Sequence, residues 1–212
     1  MTEALAALCQ AAANFHQRGY AFGSTGNLSI RIGDEVWITP TGQSLARLQP
    51  EDLACLSLDG TPRNQAHPSK EFPFHLGCYR ASALSRAIVH LHSTHAVALS
   101  CLAGLDAAEP LPVITPYYLM RVAPLGLVPY HRPGSKELAA AVEAAAARHH
   151  CLLLRNHGLI ALGATLSEAV DRAEELEESA RLFFLLRGES VLTLSPAERA
   201  DIAATFPPNP RV

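Results

Sequence analysis

Ala87-Ile88-Val89-His90-Leu91-His92-Ser93-Thr94-His95 is a run of β-forming residues that carries histidines two positions apart and a third just beyond. Side chains alternate along a strand, so His90 and His92 project to one face while Leu91 turns to the core. Two imidazoles on one face form a ready ligand pair for Zn²⁺ or a similar metal. Catalytic sites of this kind commonly take a third protein ligand and leave a position open for substrate. A second strand-like run, Cys151-Leu152-Leu153-Leu154-Arg155-Asn156-His157-Gly158, supplies His157 as that candidate.

Outward from this strand the chain alternates helical and extended patterns, so the fold class is α/β. Residues 3–17 predict a helix, with Thr2 as cap, Leu5, Leu8 and Ala12 on one face and Gly19 as terminator. Asn27 to Ile32 and Glu35 to Thr39 predict a hairpin around Gly33-Asp34, and Leu53 to Leu58 a further strand ending at Asp59-Gly60. Residues 62–68 read as a loop. A helix is expected from Ser69 to Ala81, with Pro73 early enough to be tolerated. Helices are also expected over 94–102, 135–148 and 167–187, the last with an apolar stripe through Ala169, Ala173, Leu176, Ala180, Phe183 and Phe184. Leu152 to Leu162 predicts a broken hairpin around Asn156-His157-Gly158. The proline-rich, aromatic stretch 110–133 is expected to lie over the active site. The tail from about 205 to 212, with three prolines, is expected to fray.

A chain of 212 residues with 49% hydrophobic content can bury a sizeable core, and no repeat or linker divides it, so one domain over 1–212 is expected. A net charge of −3 gives no general pull toward nucleic acid or an anionic membrane, and neither is an expected partner. The five cysteines are scattered, form no Cys-x-x-Cys pair and sit mostly in apolar runs, which suits small buried hydrophobes in a reducing cytoplasm. No run approaches the roughly 18 apolar residues of a membrane span, and the N-terminus lacks a signal-peptide pattern.

Three small polar clusters suit an anion. Phe22-Gly23-Ser24-Thr25-Gly26-Asn27 and Thr39-Pro40-Thr41-Gly42 combine glycines with hydroxyl or amide side chains, and Pro68-Ser69-Lys70 opens an expected helix. Backbone N–H groups at turns and helix starts bind phosphate, and a lysine adds charge. None matches a nucleotide-binding fingerprint, so a small phosphorylated substrate is the better fit. Glu71, in the expected first helical turn, either complements the helix dipole or performs acid/base work beside a metal. His75 falls on the same helical face. His95 is open as a further ligand, a donor behind the ligands, or a polar residue at a helix start.

The order Gly26-Asn27-x-Ser29, Thr39-Pro40-Thr41-Gly42, Ser69-x-Glu71, His90-x-His92-x-x-His95 and Asn156-His157-Gly158 resembles the class II aldolase/adducin family over nearly the whole chain. The resemblance implies a single αβα domain with a central, largely antiparallel sheet flanked by helices, assembled as a homotetramer with active sites between subunits. It further implies that His90, His92 and His157 hold a divalent metal, usually Zn²⁺, and that Glu71 is the acid/base. Asn27, Thr41, Gly42 and Ser69 would line a phosphate pocket with Lys70 beside it. Tyr117 or Tyr118 would reach a neighbouring subunit's site, as a tyrosine does in the aldolases. Lys70 stands where the fuculose-phosphate aldolases show a second serine, a departure that points away from plain aldolase activity.

Within the family, Pro68-Ser69-Lys70-Glu71, His92 to Leu99, Ile114-Thr115-Pro116-Tyr117-Tyr118 and Pro129-Tyr130-His131-Arg132-Pro133-Gly134 are most similar to the 3-oxo-tetronate 4-phosphate decarboxylases. That resemblance implies a cytoplasmic carboxy-lyase acting on a small phosphorylated sugar acid, passing through an enediolate to dihydroxyacetone phosphate and CO₂. A sugar-phosphate aldolase or epimerase would use the same ligands. A non-catalytic adducin-like module is a third reading, and the full set of histidines with Glu71 argues against it.

Overall fold

The computed structural model describes residues 1–206. The central strand is Ala87–Leu91 (β4), every residue of which is buried. On one side it pairs with Asn27–Ile32 (β1), which continues through Glu35–Ile38 (β2) to Ala54–Ser57 (β3). On the other side lie Gly158–Gly163 (β7), Cys151–Leu154 (β6) and Leu125–Val128 (β5). The sheet order is β3-β2-β1-β4-β7-β6-β5, antiparallel throughout except between β5 and β6. The β1–β2 hairpin turns at Gly33, whose φ of +61° is cheap for glycine and strained for other residues.

Strand alternation sorts side chains between two helical layers. Leu28, Val89, Leu91 and Leu159 pack with Thr2–Gln17 (α1), Thr94–Ser100 (α3), Pro116–Arg121 (α4) and Leu166–Leu185 (α6). Ile88, Leu152, Ile160 and Leu162 face Phe72–Ala81 (α2) and Lys136–Ala146 (α5). The expected αβα sandwich is therefore present. His90 shares its face with Ile88, beneath α2, where Phe74 meets its ring edge-on at 5.3 Å. The stripe on α6 packs as read: Ala169, Ala173, Leu176 and Ala180 are buried and Phe183 and Phe184 close its end. Four cysteines are buried, as expected, whereas Cys101 is exposed. Among the described residues no helix is long and apolar enough to cross a membrane.

Several boundaries differ from the sequence reading for local reasons. Thr2 lies inside α1 rather than capping it, and Met1 precedes the helix with no side-chain cap bond. The helix expected from Ser69 starts at Phe72, because Pro73 belongs in a first turn, where its missing N–H costs nothing. Ser69 and Lys70 consequently lie in a turn before α2, and Glu71 occupies its cap position. The stretch 110–133 contains α4, capped by Thr115, and β5, elements not expected there. A last helix, Pro196–Thr205 (α7), was not expected, although Ser195 and Glu198 form a reciprocal capping box that announces it. Of the tail expected to fray, residues 207–212 lie outside the described residues.

Candidate active site

The site gathers at one end of β4 and the start of β7. β4 ends at Leu91, yet the backbone stays extended enough that His90 and His92 present their Nε2 atoms 3.0 Å apart. His157 reaches the same point from the β6–β7 turn. Asn156 adopts φ +53° there, and the backbone N–H groups of Asn156 and His157 donate to the carbonyl and hydroxyl of Ser100. Gly158 follows because a Cβ at that position would collide with the Leu91 carbonyl. The three imidazole rings stand with centroids 4.7–4.9 Å apart and nearly perpendicular to one another.

Glu71 completes the cluster from the head of α2. Its Oε2 lies 3.2 Å from His90 Nε2, and its Oε1 faces His157 Nε2 at 3.3 Å without a well-aligned hydrogen-bond partner. One potential ligand atom from each of Glu71, His90, His92 and His157 falls within 4.8 Å of the others. These atoms suit a cation. His90 Nδ1–H donates to the Leu159 carbonyl at 2.8 Å, which leaves the Nε2 lone pair pointing into the cluster. Burial, the largest cause, pushes His92 down to about 3, so it is neutral and free to ligate. The Nε2 atoms of His90 and His92, 3.0 Å apart, stand close to the roughly 3.3 Å that separates neighbouring nitrogens around a tetrahedral Zn²⁺. Burial alone would raise the Glu71 carboxyl, but the His90 and His157 imidazoles against it hold it well below the usual carboxylate range.

His92, His157 and Glu71 form one end of a cleft of about 820 Å³, with His90 fully buried beside them. Thr41, Gly42, Ser69 and Lys70 line the cleft too, together with Ser24, Thr25 and Gly26. These loops brace one another. Ser69 N–H donates to the Thr39 carbonyl, Thr41 N–H to the His67 carbonyl, and Pro40 bridges Pro68. Gly42 turns with φ +73°, and Gly26 with φ +78° passes so close to the His90 carbonyl that a Cβ would sit 3.0 Å from it. The result is a mixed wall of hydroxyls, turn backbone and one lysine, the donor set a phosphate uses.

A family model described as Class II Aldolase and Adducin N-terminal domain matches residues 6–184. The chain belongs to this family. A 3-oxo-tetronate 4-phosphate decarboxylase of Haemophilus influenzae is 44% identical over 196 residues, covering 92% of this chain and 93% of the relative. An L-fuculose phosphate aldolase of Methanococcus maripaludis is 36% identical over 171 residues, covering 81% and 91%. Among solved structures, YgbL of Escherichia coli superposes with a TM-score of 0.92 at 41% identity, covering 95% of this chain and 98% of YgbL.

Not every residue singled out in the sequence joins the cleft of this family member in the expected way. Asn27 does line it, but its side chain is turned to the protein. Its Nδ2 donates to Glu71 Oε2 at 2.9 Å and its Oδ1 accepts from His75 Nε2 at 2.5 Å. His95 stands outside: its Nδ1 pairs with Glu177 Oε1 at 2.8 Å, and that carboxylate also accepts the N–H groups of His95 and Ala96 at the start of α3. Tyr118 is buried in the core against α6, and Tyr117 is exposed with Arg121 over its ring. Neither tyrosine lines the cleft, whereas Tyr130 does. Sequence reasoning also missed the Leu159 carbonyl behind His90, since a backbone acceptor 69 residues away leaves no sequence signal.

Proposed function

We propose that this chain is a metal-dependent carboxy-lyase that converts 3-oxo-tetronate 4-phosphate to dihydroxyacetone phosphate and CO₂. The observation that carries the reading is Glu71, a buried carboxylate against three converging imidazoles, at one end of a cleft whose other wall suits a phosphate. The 44% identical decarboxylase, matched over almost its whole length, supports this substrate class.

His90, His92 and His157 would hold the metal, for which zinc fits the all-imidazole donor set. When bound, the ion supplies Lewis acidity toward the substrate's C3 carbonyl oxygen. Thr41, Gly42, Ser69 and Lys70 hold the C4 phosphate and so fix which carbons stand over Glu71. The C1–C2 bond breaks and CO₂ leaves, its electron pair moves into a C2–C3 double bond as the C3 carbonyl π pair moves onto the C3 oxygen, and the carbonyl re-forms when C2 is protonated. Glu71, ionised at rest, accepts a proton from the C2 hydroxyl and returns it to the C2 carbon, the net proton consumed coming from solvent. Asn27 orients that carboxylate. The same reading treats residues 1–212 as one domain, working in the cytoplasm as a homotetramer, with the exposed Tyr117 available to a neighbouring subunit's cleft.

The deciding assay compares CO₂ release from 3-oxo-tetronate 4-phosphate with cleavage of fuculose 1-phosphate by the same metal-loaded preparation. Preference for the first supports the decarboxylase, and preference for the second makes the chain an aldolase like its 36% identical relative. Equal kcat/KM for phosphorylated and dephosphorylated substrate would remove the phosphate assignment.

A further inference from the structure

Behind Glu71 and Asn27 lies a line of buried polar side chains, His75, Ser29 and Tyr79, that the proposed chemistry does not use. Asn27 Nδ2 is 2.9 Å from Glu71 Oε2, and Asn27 Oδ1 is 2.5 Å from His75 Nε2. His75 Nδ1 is 2.7 Å from Ser29 Oγ, which is in turn 2.8 Å from the Tyr79 hydroxyl. Ser29 and His75 are wholly inaccessible and Tyr79 nearly so. The fold puts them there: Asn27 and Ser29 are alternate residues of β1 on one face, and His75 and Tyr79 are one turn apart on α2 above them.

The direction of each bond follows from what each atom can do. An ionised Glu71 only accepts, so Asn27 must present its amide N–H₂ to it and its carbonyl to His75. That carbonyl only accepts, so His75 must carry its proton on Nε2. Nδ1 is then a bare lone pair, and Ser29 must donate to it. The Ser29 oxygen has a lone pair left for the Tyr79 O–H, a phenol that burial keeps protonated. With a neutral His75, no other assignment satisfies all four contacts. The reverse order would set the Asn27 carbonyl against the Glu71 carboxylate. We infer that His75 is a positioning residue for Glu71, locked as the Nε2–H tautomer by Ser29 and Tyr79, and that it fixes the Asn27 amide so that it donates to the carboxylate. Burial pushes His75 down to about 3, which keeps the imidazole neutral as this role needs. Hydrogen bonds to charged groups are roughly twice as strong as neutral ones, and buried networks hold a single geometry only when every member is satisfied. The inference rests on the proposed acid/base role of Glu71.

The test has a spectroscopic arm and a kinetic arm. With ¹⁵N-histidine in the whole metal-loaded chain, His75 should show a protonated Nε2 and an unprotonated Nδ1 between pH 6 and 8. The opposite tautomer, or an imidazolium, overturns the inference without any activity measurement. Kinetically, Asn27→Ala and His75→Leu should each lower kcat by about 10-fold with KM within about twofold, and the double variant should fall no further, because both act on one contact. Multiplicative losses would mean that His75 only stabilises the fold. His75→Gln, whose amide N–H can stand in for Nε2–H, should keep kcat within about threefold of wild type and keeps the test open should His75→Leu not fold. A His75→Gln protein as slow as Asn27→Ala overturns the inference. Wild-type turnover in Glu71→Gln removes the acid/base reading instead, and the tautomer measurement separates the two failures.

Discussion

The two ends of the cleft are built by different means. At the histidine end, proposed to hold the metal, His90 and Glu71 are almost fully buried, and each has partners that fix its orientation: Leu159 behind His90, and Asn27, backed by His75, behind Glu71. At the other end, proposed to hold the phosphate, Thr41, Gly42 and Lys70 sit in turns held by backbone bonds, with Lys70 exposed. One end is specified by side chains that leave no alternative, the other by the shape of loops to which many atoms contribute a little. Substitutions should therefore act as a switch at the first end and by degrees at the second.

The largest effect should come from removing a ligand. His92→Ala is expected to lose its metal and more than about 10⁴-fold in turnover, and full stoichiometric zinc on elemental analysis would break the ligand assignment. Glu71→Gln should keep the metal and lose about 10²–10⁴-fold in kcat; a loss below about threefold would make Glu71 a helix-cap residue and erase the contrast between the ends. Stability carries the next signature. His75 is held neutral when folded but takes up a proton below its ordinary value of 6.5 when unfolded. Its contribution is thus complete above pH 6.5 and declines as pH falls toward 3, by roughly 1.4 kcal/mol per unit. Thermal melts of wild type and His75→Gln should accordingly converge between pH 7 and pH 5, and a constant gap would refute the assignment. At the phosphate end, Lys70→Ala should raise KM by about 10-fold with kcat within about threefold, as loss of one charge among many donors requires. Thr41→Ala should change kcat/KM by only about threefold. A loss at Thr41 as large as at Glu71 would show that both ends are equally specified.

The same difference decides what could be read from the sequence. The His90–His92 pair was legible because strand alternation is local, and Asn156-His157-Gly158 because its turn chemistry is. The glycine- and hydroxyl-rich loops that line the cleft were legible as composition. What escaped depends on long separations: Asn27 meets Glu71 across 44 residues, and His95 meets Glu177 across 82. Asn27 was placed among phosphate ligands because an amide beside glycines looks the same whether it faces a ligand or a carboxylate. Tyr117 and Tyr118 could not be told apart until α4 formed and turned Tyr118 inward. Two misses were local and avoidable. Pro73 marks the start of α2 near Phe72, and the Ser195/Glu198 capping box marks α7.

The missing Cβ of Gly158 lets the β6–β7 turn lie against the Leu91 carbonyl. That contact joins the backbone of the segment bearing His157 to the backbone of the segment bearing His90 and His92. It thereby acts as a gauge for the span between the three imidazoles. A methyl group there would wedge the two segments apart and widen the span, away from ions that imidazole binds at about 2.0–2.1 Å and toward larger ones. The selectivity of the proposed centre is then a property of a residue with no side chain, and Gly158→Ala would express it as a change in which ion the protein retains after dialysis against a mixture.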